Sequence, residues 1–243
     1  MSSDYNIKAK IVSDGFAVVD NIFTAEEINE FIQIIDQADS SVSTFHKATD
    51  LYAIRQFFKV IPASINTVFK AAFVSLIVKI FGDGFFVVKS IYFDKPKGSN
   101  WFVSYHQDLT ISVNKKIELP GFNFWTTKQN LFAVQPPLNI LKDNFTVRIH
   151  LDDTGKENGA LRVIPKSHLK DIYRPETIDW TTETENICTV KKGGVMFMKP
   201  LLLHSSGKTV NNNRRRVIHI EFSRSILPAD LLWSEFLEIK ISS

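Results

Sequence analysis

A chain of 243 residues with 44% hydrophobic and 12% aromatic content can bury one large core, and the length suits a single β-rich domain over 1–243. Its formal charge of +3 is small, and apart from Arg214-Arg215-Arg216 the basic residues are scattered, so neither nucleic acid nor a membrane surface is implied as a partner. The single cysteine, Cys188, excludes an intramolecular disulfide, residues 1–11 lack the apolar core of a signal peptide, and no run is long enough to span a bilayer; a reducing cytoplasmic compartment is expected.

Taken in order, Gly15-Phe16-Ala17-Val18-Val19-Asp20 reads as a short apolar strand. Thr24 as N-cap with Glu27 three residues later forms a capping box, and Ile28, Phe31, Ile32 and Ile35 recur at helical spacing behind it. From Ser40 to Arg55 the pattern dissolves into Ser, Thr and Asp, which predicts a loop. A second helix is expected after Pro62, through Phe69, Phe73, Leu76, Ile77 and Ile80 to a stop at Gly82, where glycine can take the left-handed C′ conformation. Strand-like runs follow at Phe85–Phe93, Trp101–Asp108, Asn130–Gln135, Phe145–Leu151, Ala160–Ile164, Ile187–Met198, Leu201–Ser206 and Arg215–Ser223. Eight strands after a helical first third predict a mainly β fold: a double-stranded β-helix, the jelly-roll barrel also seen in cupins, with the N-terminal helices packed outside. The expected division is helices to about residue 82, barrel from 83 to 224 and a C-terminal extension over 225–243.

His106-Gln107-Asp108 sits at the end of the second strand. Alternate residues on a strand share a face, so an imidazole and a carboxylate two apart point into one space. With a second histidine they make the two-His, one-carboxylate triad of non-haem Fe(II) sites. The chain carries a competing pair, His150-Leu151-Asp152. In oxygenases built on this barrel the His-x-Asp ends the second strand and the distal histidine opens the seventh. Four predicted strands lie between His106 and the run containing His204, but only two after His150, so the count favours His106, Asp108 and His204.

These stretches, together with Leu151-Asp152-Asp153, the run Glu157-Asn158-Gly159-Ala160-Leu161-Arg162-Val163-Ile164-Pro165-Lys166-Ser167-His168, and Gly193-Gly194-Val195-Met196-Phe197, resemble the phytanoyl-CoA dioxygenase family of Fe(II)- and 2-oxoglutarate-dependent oxygenases. The resemblance covers nearly the whole chain. It implies an enzyme that uses Fe(II), 2-oxoglutarate and O2 to hydroxylate a small organic substrate, releasing succinate and CO2. It also implies that Arg215, eleven positions beyond His204, binds the far carboxylate of 2-oxoglutarate. Chemistry supports that role: a guanidinium stays charged and offers two parallel donors, and Ser206 can add a hydroxyl. Gln107 and Trp125 are further candidates for contact with the co-substrate, and Ser40–Arg55 with Asn114–Lys128 for a cover over the barrel mouth.

Along Arg215–Ser223, Arg215, Val217, His219 and Glu221 share one face and Ile218, Ile220 and Phe222 the other. Arg214 and Arg216 read as a solvated edge, His46, His150 and His168 as structural or surface residues, and His219 as either a donor behind the site or a buried bystander. The rival to an oxygenase is a metal-binding barrel without turnover, isomerase-like or a binding module; such a protein has no need for an anion clamp at Arg215. A halogenase is disfavoured because Asp108 keeps the carboxylate in place.

Overall fold

A computed structural model describes residues 3–38, 45–48, 51–128 and 131–239. The chain opens with α1 (Ser3–Asp14), β1 (Phe16–Val19) and α2 (Ala25–Asp36), followed by β2 (Phe45–Ala48), β3 (Leu51–Arg55), α3 (Phe57–Val60), α4 (Ser64–Val68) and α5 (Ala71–Phe81). Then come β4 (Phe86–Lys95), β5 (Val103–His106), β6 (Ile111–Val113), β7 (Asn123–Lys128), β8 (Leu131–Gln135), the short α6 (Leu138–Lys142) and β9 (Phe145–His150). The remaining strands are β10 (Leu161–Val163), β11 (Asn186–Ile187), β12 (Val195–Met198), β13 (His204–Ser206), β14 (Arg215–Ser223) and β15 (Leu237–Glu238).

Each of the eight expected strands is present, and Ile187–Met198 resolves into two. They assemble as a major sheet in the order β1-β12-β9-β14-β4-β3-β2, with β15 also paired to β4, facing a minor sheet in the order β11-β10-β13-β5. Most neighbours are distant in sequence, the mark of the jelly-roll double-stranded β-helix. A third sheet, β6-β8-β7, packs over a separate apolar cluster containing Val113, Phe122, Val134 and Trp233.

Period-2 alternation fixes which way the major sheet faces. Phe145, Val147 and Ile149 of β9 and Ile218, Ile220 and Phe222 of β14 join a core with Phe31 of α2 and Phe73, Ile77 and Ile80 of α5. The rings of Phe81, Phe145 and Phe222 stack in sequence, 3.6 Å and 4.7 Å apart between centroids; burial of each such side chain contributes about 1.5–3 kcal/mol. The other face of the same strands, with Arg148, Arg215, His219 and Glu221, lines the space between the two sheets. The helices are thus outside and the polar cleft inside.

The capping box of α2 forms as expected: the Thr24 hydroxyl accepts from the Glu27 N–H at 3.2 Å, and the Glu27 carboxylate accepts from the Thr24 N–H at 2.8 Å. Four expectations need correction. The helix expected after Pro62 breaks at Phe69 and Lys70; the break leaves Lys70 extended and bonded to Glu27 of α2 at 3.0 Å. The α5 stop at Gly82 has φ 93° and ψ −178°, a conformation open to glycine but distinct from the left-handed helical one. The stretch 40–55 is not all loop, because β2 and β3 extend the major sheet beside β4; residues 40–44 and 49–50 lie outside the described residues. With β1 also in that sheet, the first third is not a purely helical addition. The unanticipated α1 buries Ile11 and carries a Lys10–Asp14 pair at 2.8 Å. Among the described residues no helix is long and apolar enough to cross a membrane.

Candidate metal centre and its cleft

His106 is the last residue of β5 and His204 the first of β13, and antiparallel pairing makes them direct cross-strand partners. Their ring centroids lie 4.3 Å apart. Asp108 stands just past the end of β5, where its N–H bonds to the Pro200 carbonyl at 2.9 Å. One carboxylate oxygen is 3.7 Å from His106 Nε2 and the other 3.8 Å from His204 Nε2. Ligand atoms of all three residues fall within 4.8 Å of one another, the distance range of donors sharing one ion.

The hydrogen bonds behind the rings set the tautomers. His106 Nδ1 lies 2.9 Å from the Ser104 carbonyl and His204 Nδ1 lies 2.9 Å from the Leu202 carbonyl. A carbonyl only accepts, so both Nδ1 atoms carry the proton and both Nε2 atoms keep a lone pair toward the centre. Burial pushes the His204 imidazole down to about 4, against the pull of Asp108, so it is neutral at pH 7. Burial alone would raise Asp108, but His204, His219 and Lys89 outweigh it and hold the carboxyl below its ordinary value. Asp108 Oδ2 is shut from solvent without a hydrogen-bond partner. An unpaired buried carboxylate oxygen between two imidazole lone pairs is costly by itself and fits a divalent cation.

The competing pair is used elsewhere. His150 is buried with Nδ1 2.8 Å from the Thr154 hydroxyl, and Asp152 forms a two-pronged bond with Arg216 at 2.7 and 2.8 Å. Arg214 is paired with Asp94. Arg214 and Arg216 are therefore neutralised at the sheet edge, and His168 bonds to the Val12 carbonyl. The His46 side chain lies outside the described residues.

Arg215 behaves differently. It is 2% exposed, its Nε and Nη1 have no partner, and it faces the cleft beside Ser206. Burial, with Arg148 nearby, lowers its guanidinium to about 9, which still leaves it charged at neutral pH. Behind it, burial and Arg215 push the Lys95 ammonium down to about 7. Among the described residues, neither cation has an acidic side chain paired with it.

Two candidates are not brought to the cleft. Gln107 points the opposite way: its amide nitrogen donates to the Leu201 and Asp171 carbonyls at 2.6 and 2.8 Å, and its oxygen accepts from the Tyr173 N–H at 2.9 Å. Regular alternation past His106 causes this, and Gln107 ties down the turn that leads to His204. Trp125, on β7, packs against the cluster under the third sheet. The aromatic cleft walls are Trp101 and Phe93, and among the described residues none of 114–127 lines the cleft.

Sequence reading missed Arg55, Lys89 and Arg148, all of which line the cleft. Arg148 carried a signal: an arginine between Val147 and Ile149 in an apolar strand is rarely buried without purpose. Its Nη1 donates to His219 Nδ1 at 3.0 Å, His219 Nε2 lies 3.2 Å from Glu221, and Glu221 also accepts from Lys89 at 2.9 Å.

A family model described as phytanoyl-CoA dioxygenase matches residues 11–217. No curated protein matches the sequence. Among solved structures, EctD from S. alaskensis with 2-oxoglutarate and 5-hydroxyectoine superposes with a TM-score of 0.69 at 17% identity, covering 92% of this chain and 76% of that one. AviO1 from Streptomyces viridochromogenes Tue57 gives 0.67 at 16% identity over 94% and 98% of the two chains. The non-heme alpha ketoglutarate dependent epimerase SnoN from nogalamycin biosynthesis gives 0.67 at 14% identity over 91% and 83%. At these identities the likeness establishes the fold.

Proposed function

Because the chain belongs to the phytanoyl-CoA dioxygenase family, we propose that it is an Fe(II)- and 2-oxoglutarate-dependent oxygenase that hydroxylates a small organic molecule. The observation that carries this reading is the juxtaposition of two unsatisfied groups in one cleft: the His106, Asp108 and His204 cluster, and the buried guanidinium of Arg215, whose Nε and Nη1 have no partner among the described residues. In this reading the three residues would hold Fe(II), and Arg215 with Ser206 would hold the far carboxylate of 2-oxoglutarate. With both bound, the site couples decarboxylation of the keto acid by O2, giving succinate and CO2, to oxidation of the substrate. EctD, solved with 2-oxoglutarate and 5-hydroxyectoine and, in a second structure, with bound Fe, supports that pair of ligands.

The chain's own residues do the positioning. The Nδ1 bonds to Ser104 and Leu202 orient the rings, and Gln107 fixes the segment before β13. Two sheets around a cleft of about 270 Å³ restrict water near the reacting atoms, which strengthens each electrostatic contact. A metal-binding barrel without turnover leaves the buried Arg215, with Nε and Nη1 unsatisfied among the described residues, unexplained.

The test is anaerobic titration with Fe(II) and 2-oxoglutarate, followed by succinate release in air across a panel of small molecules. The reading predicts stoichiometric binding of both and succinate release stimulated by one class of compound. Failure of 2-oxoglutarate to bind the Fe(II)-loaded protein overturns it.

A further inference from the structure

Arg148 and Arg55 stand at the two ends of one cross-strand row. Arg148 on β9 pairs with His219 on β14, His219 pairs with Ile91 on β4, and Ile91 pairs with Arg55 on β3. All four residues line the cleft, so an apolar and aromatic floor is flanked by two guanidinium groups. Arg215 lies outside this row. It precedes His219 by four residues on β14 and pairs with Lys95, which places its backbone about 13 Å away along the strand.

The row is short of negative charge. Arg148 is 7% exposed, spends Nη1 on the neutral acceptor His219 Nδ1, and leaves Nε without a partner. Glu221, the nearest carboxylate in this network, is already shared by Lys89 and His219. Among the described residues lining the cleft, four cationic side chains, Arg55, Lys89, Arg148 and Arg215, face two carboxylates, Asp108 and Glu221. A divalent ion adds two positive charges and 2-oxoglutarate removes two, so the loaded cleft keeps an excess of two positive charges. Buried unpaired charge is expensive, and the residue type here is the one suited to planar oxyanions.

Resting on the reading of the site as an Fe(II) and 2-oxoglutarate centre, we propose that the primary substrate is an organic oxyanion, a carboxylate or phosphate on an apolar body, gripped by Arg148 and Arg55 separately from the co-substrate at Arg215. Arg148 then sets specificity. The neutral His219, which accepts from Arg148 and sits beside Glu221, aims the guanidinium and leaves its charge for the ligand. Phe93, Ile91 and Trp101 receive the apolar body.

The experiment uses protein loaded with Fe(II) and saturating 2-oxoglutarate without O2, titrated calorimetrically with benzoate, phenyl phosphate and benzyl alcohol, three probes with one ring and different charge. At least one anion should bind and the alcohol should bind at least tenfold more weakly; the preferred anion identifies the headgroup. Arg148→Gln should weaken that anion at least tenfold, Arg148→Lys should recover part of the loss, and the partly exposed Arg55→Gln should weaken it at least threefold, a check that does not depend on a core substitution folding. In these variants 2-oxoglutarate affinity should stay within twofold of the parent. The proposal is overturned if neither anion binds the loaded protein, if the alcohol binds as well as the anions, or if Arg148→Gln weakens 2-oxoglutarate as strongly as Arg215→Gln does. Loss of 2-oxoglutarate binding in no variant, Arg215→Gln included, would instead refute the co-substrate reading while the anion comparison still stands.

Discussion

Replacing Arg215 with alanine tests the co-substrate assignment most directly, because the three consecutive arginines differ so sharply in environment. Arg215 is 2% exposed and lacks partners on Nε and Nη1; a carboxylate docked there sits out of water with this guanidinium as its counter-charge. Removing one member of a buried ion pair costs about 3–5 kcal/mol, because the other is left desolvated. At about 1.4 kcal/mol per tenfold, 2-oxoglutarate affinity should fall roughly 100-fold to several thousand-fold. Arg214 and Arg216 hold Asp94 and Asp152 at the sheet edge; their loss should change that affinity by less than about 1 kcal/mol, roughly fivefold at most. The assay is calorimetric titration of 2-oxoglutarate into Fe(II)-loaded protein for the three single alanine variants. Similar modest losses in all three would mean a diffuse basic edge and refute the clamp.

Other expectations follow from the same geometry. His106→Ala and His204→Ala should each lose stoichiometric Fe(II), read by metal analysis after dialysis, whereas His150→Ala, with its ring bonded to Thr154, should retain it. The apo protein should lose stability on acidification: burial with Arg148 and Arg215 lowers His150 well below its ordinary value, and burial lowers His204 to about 4. The unfolded chain takes up these protons near pH 6.5 and the folded chain does not, so stability is full above that pH and falls below it, by up to about 1.4 kcal/mol per pH unit per histidine. Urea unfolding midpoints at pH 7.5 and 5.5 measure the drop, and a flat profile would show that these rings protonate in the fold. Gly159→Ala should lower the unfolding temperature clearly, since φ is 81° and an added Cβ would lie 2.7 Å from both the Gly207 carbonyl and Lys95 Nζ; the strain alone is about 1–3 kcal/mol. Gly155→Ala, with open space around it, is the control and should change little.

What the sequence revealed and what it hid divide along the range of the interactions. The capping box at Thr24, the alternation of β14 and the shared face of His106 and Asp108 are local, set within three or four residues. Choosing His106 over His150 needed only the order of strands. The turn of Gln107 away from the cleft follows from the same alternation, whereas Trp125 was misplaced because an aromatic side chain has no local mark separating a cleft wall from a core. Arg55 was hidden because its place depends on β3 pairing with β4 across three intervening helices, and because β3 itself lies in a stretch that reads as polar loop. Arg148 was legible as an anomaly in β9, but its partner His219, and the Glu221 bonded to that histidine, come from β14, more than 70 residues away.

All three candidate metal ligands rise from the minor sheet and its edge, with His106 and His204 directly opposed on β5 and β13, while Arg148, Arg215 and Lys89 rise from the major sheet. Under the proposed function, redox chemistry and ligand choice would therefore sit on separate walls joined by different hydrogen-bond ladders. A substitution on β9 or β14 can exchange one class of organic ligand for another while the ion's donors stay in register. The chemistry of such a barrel can stay constant while its diet drifts, one inward-facing residue of the opposite wall at a time.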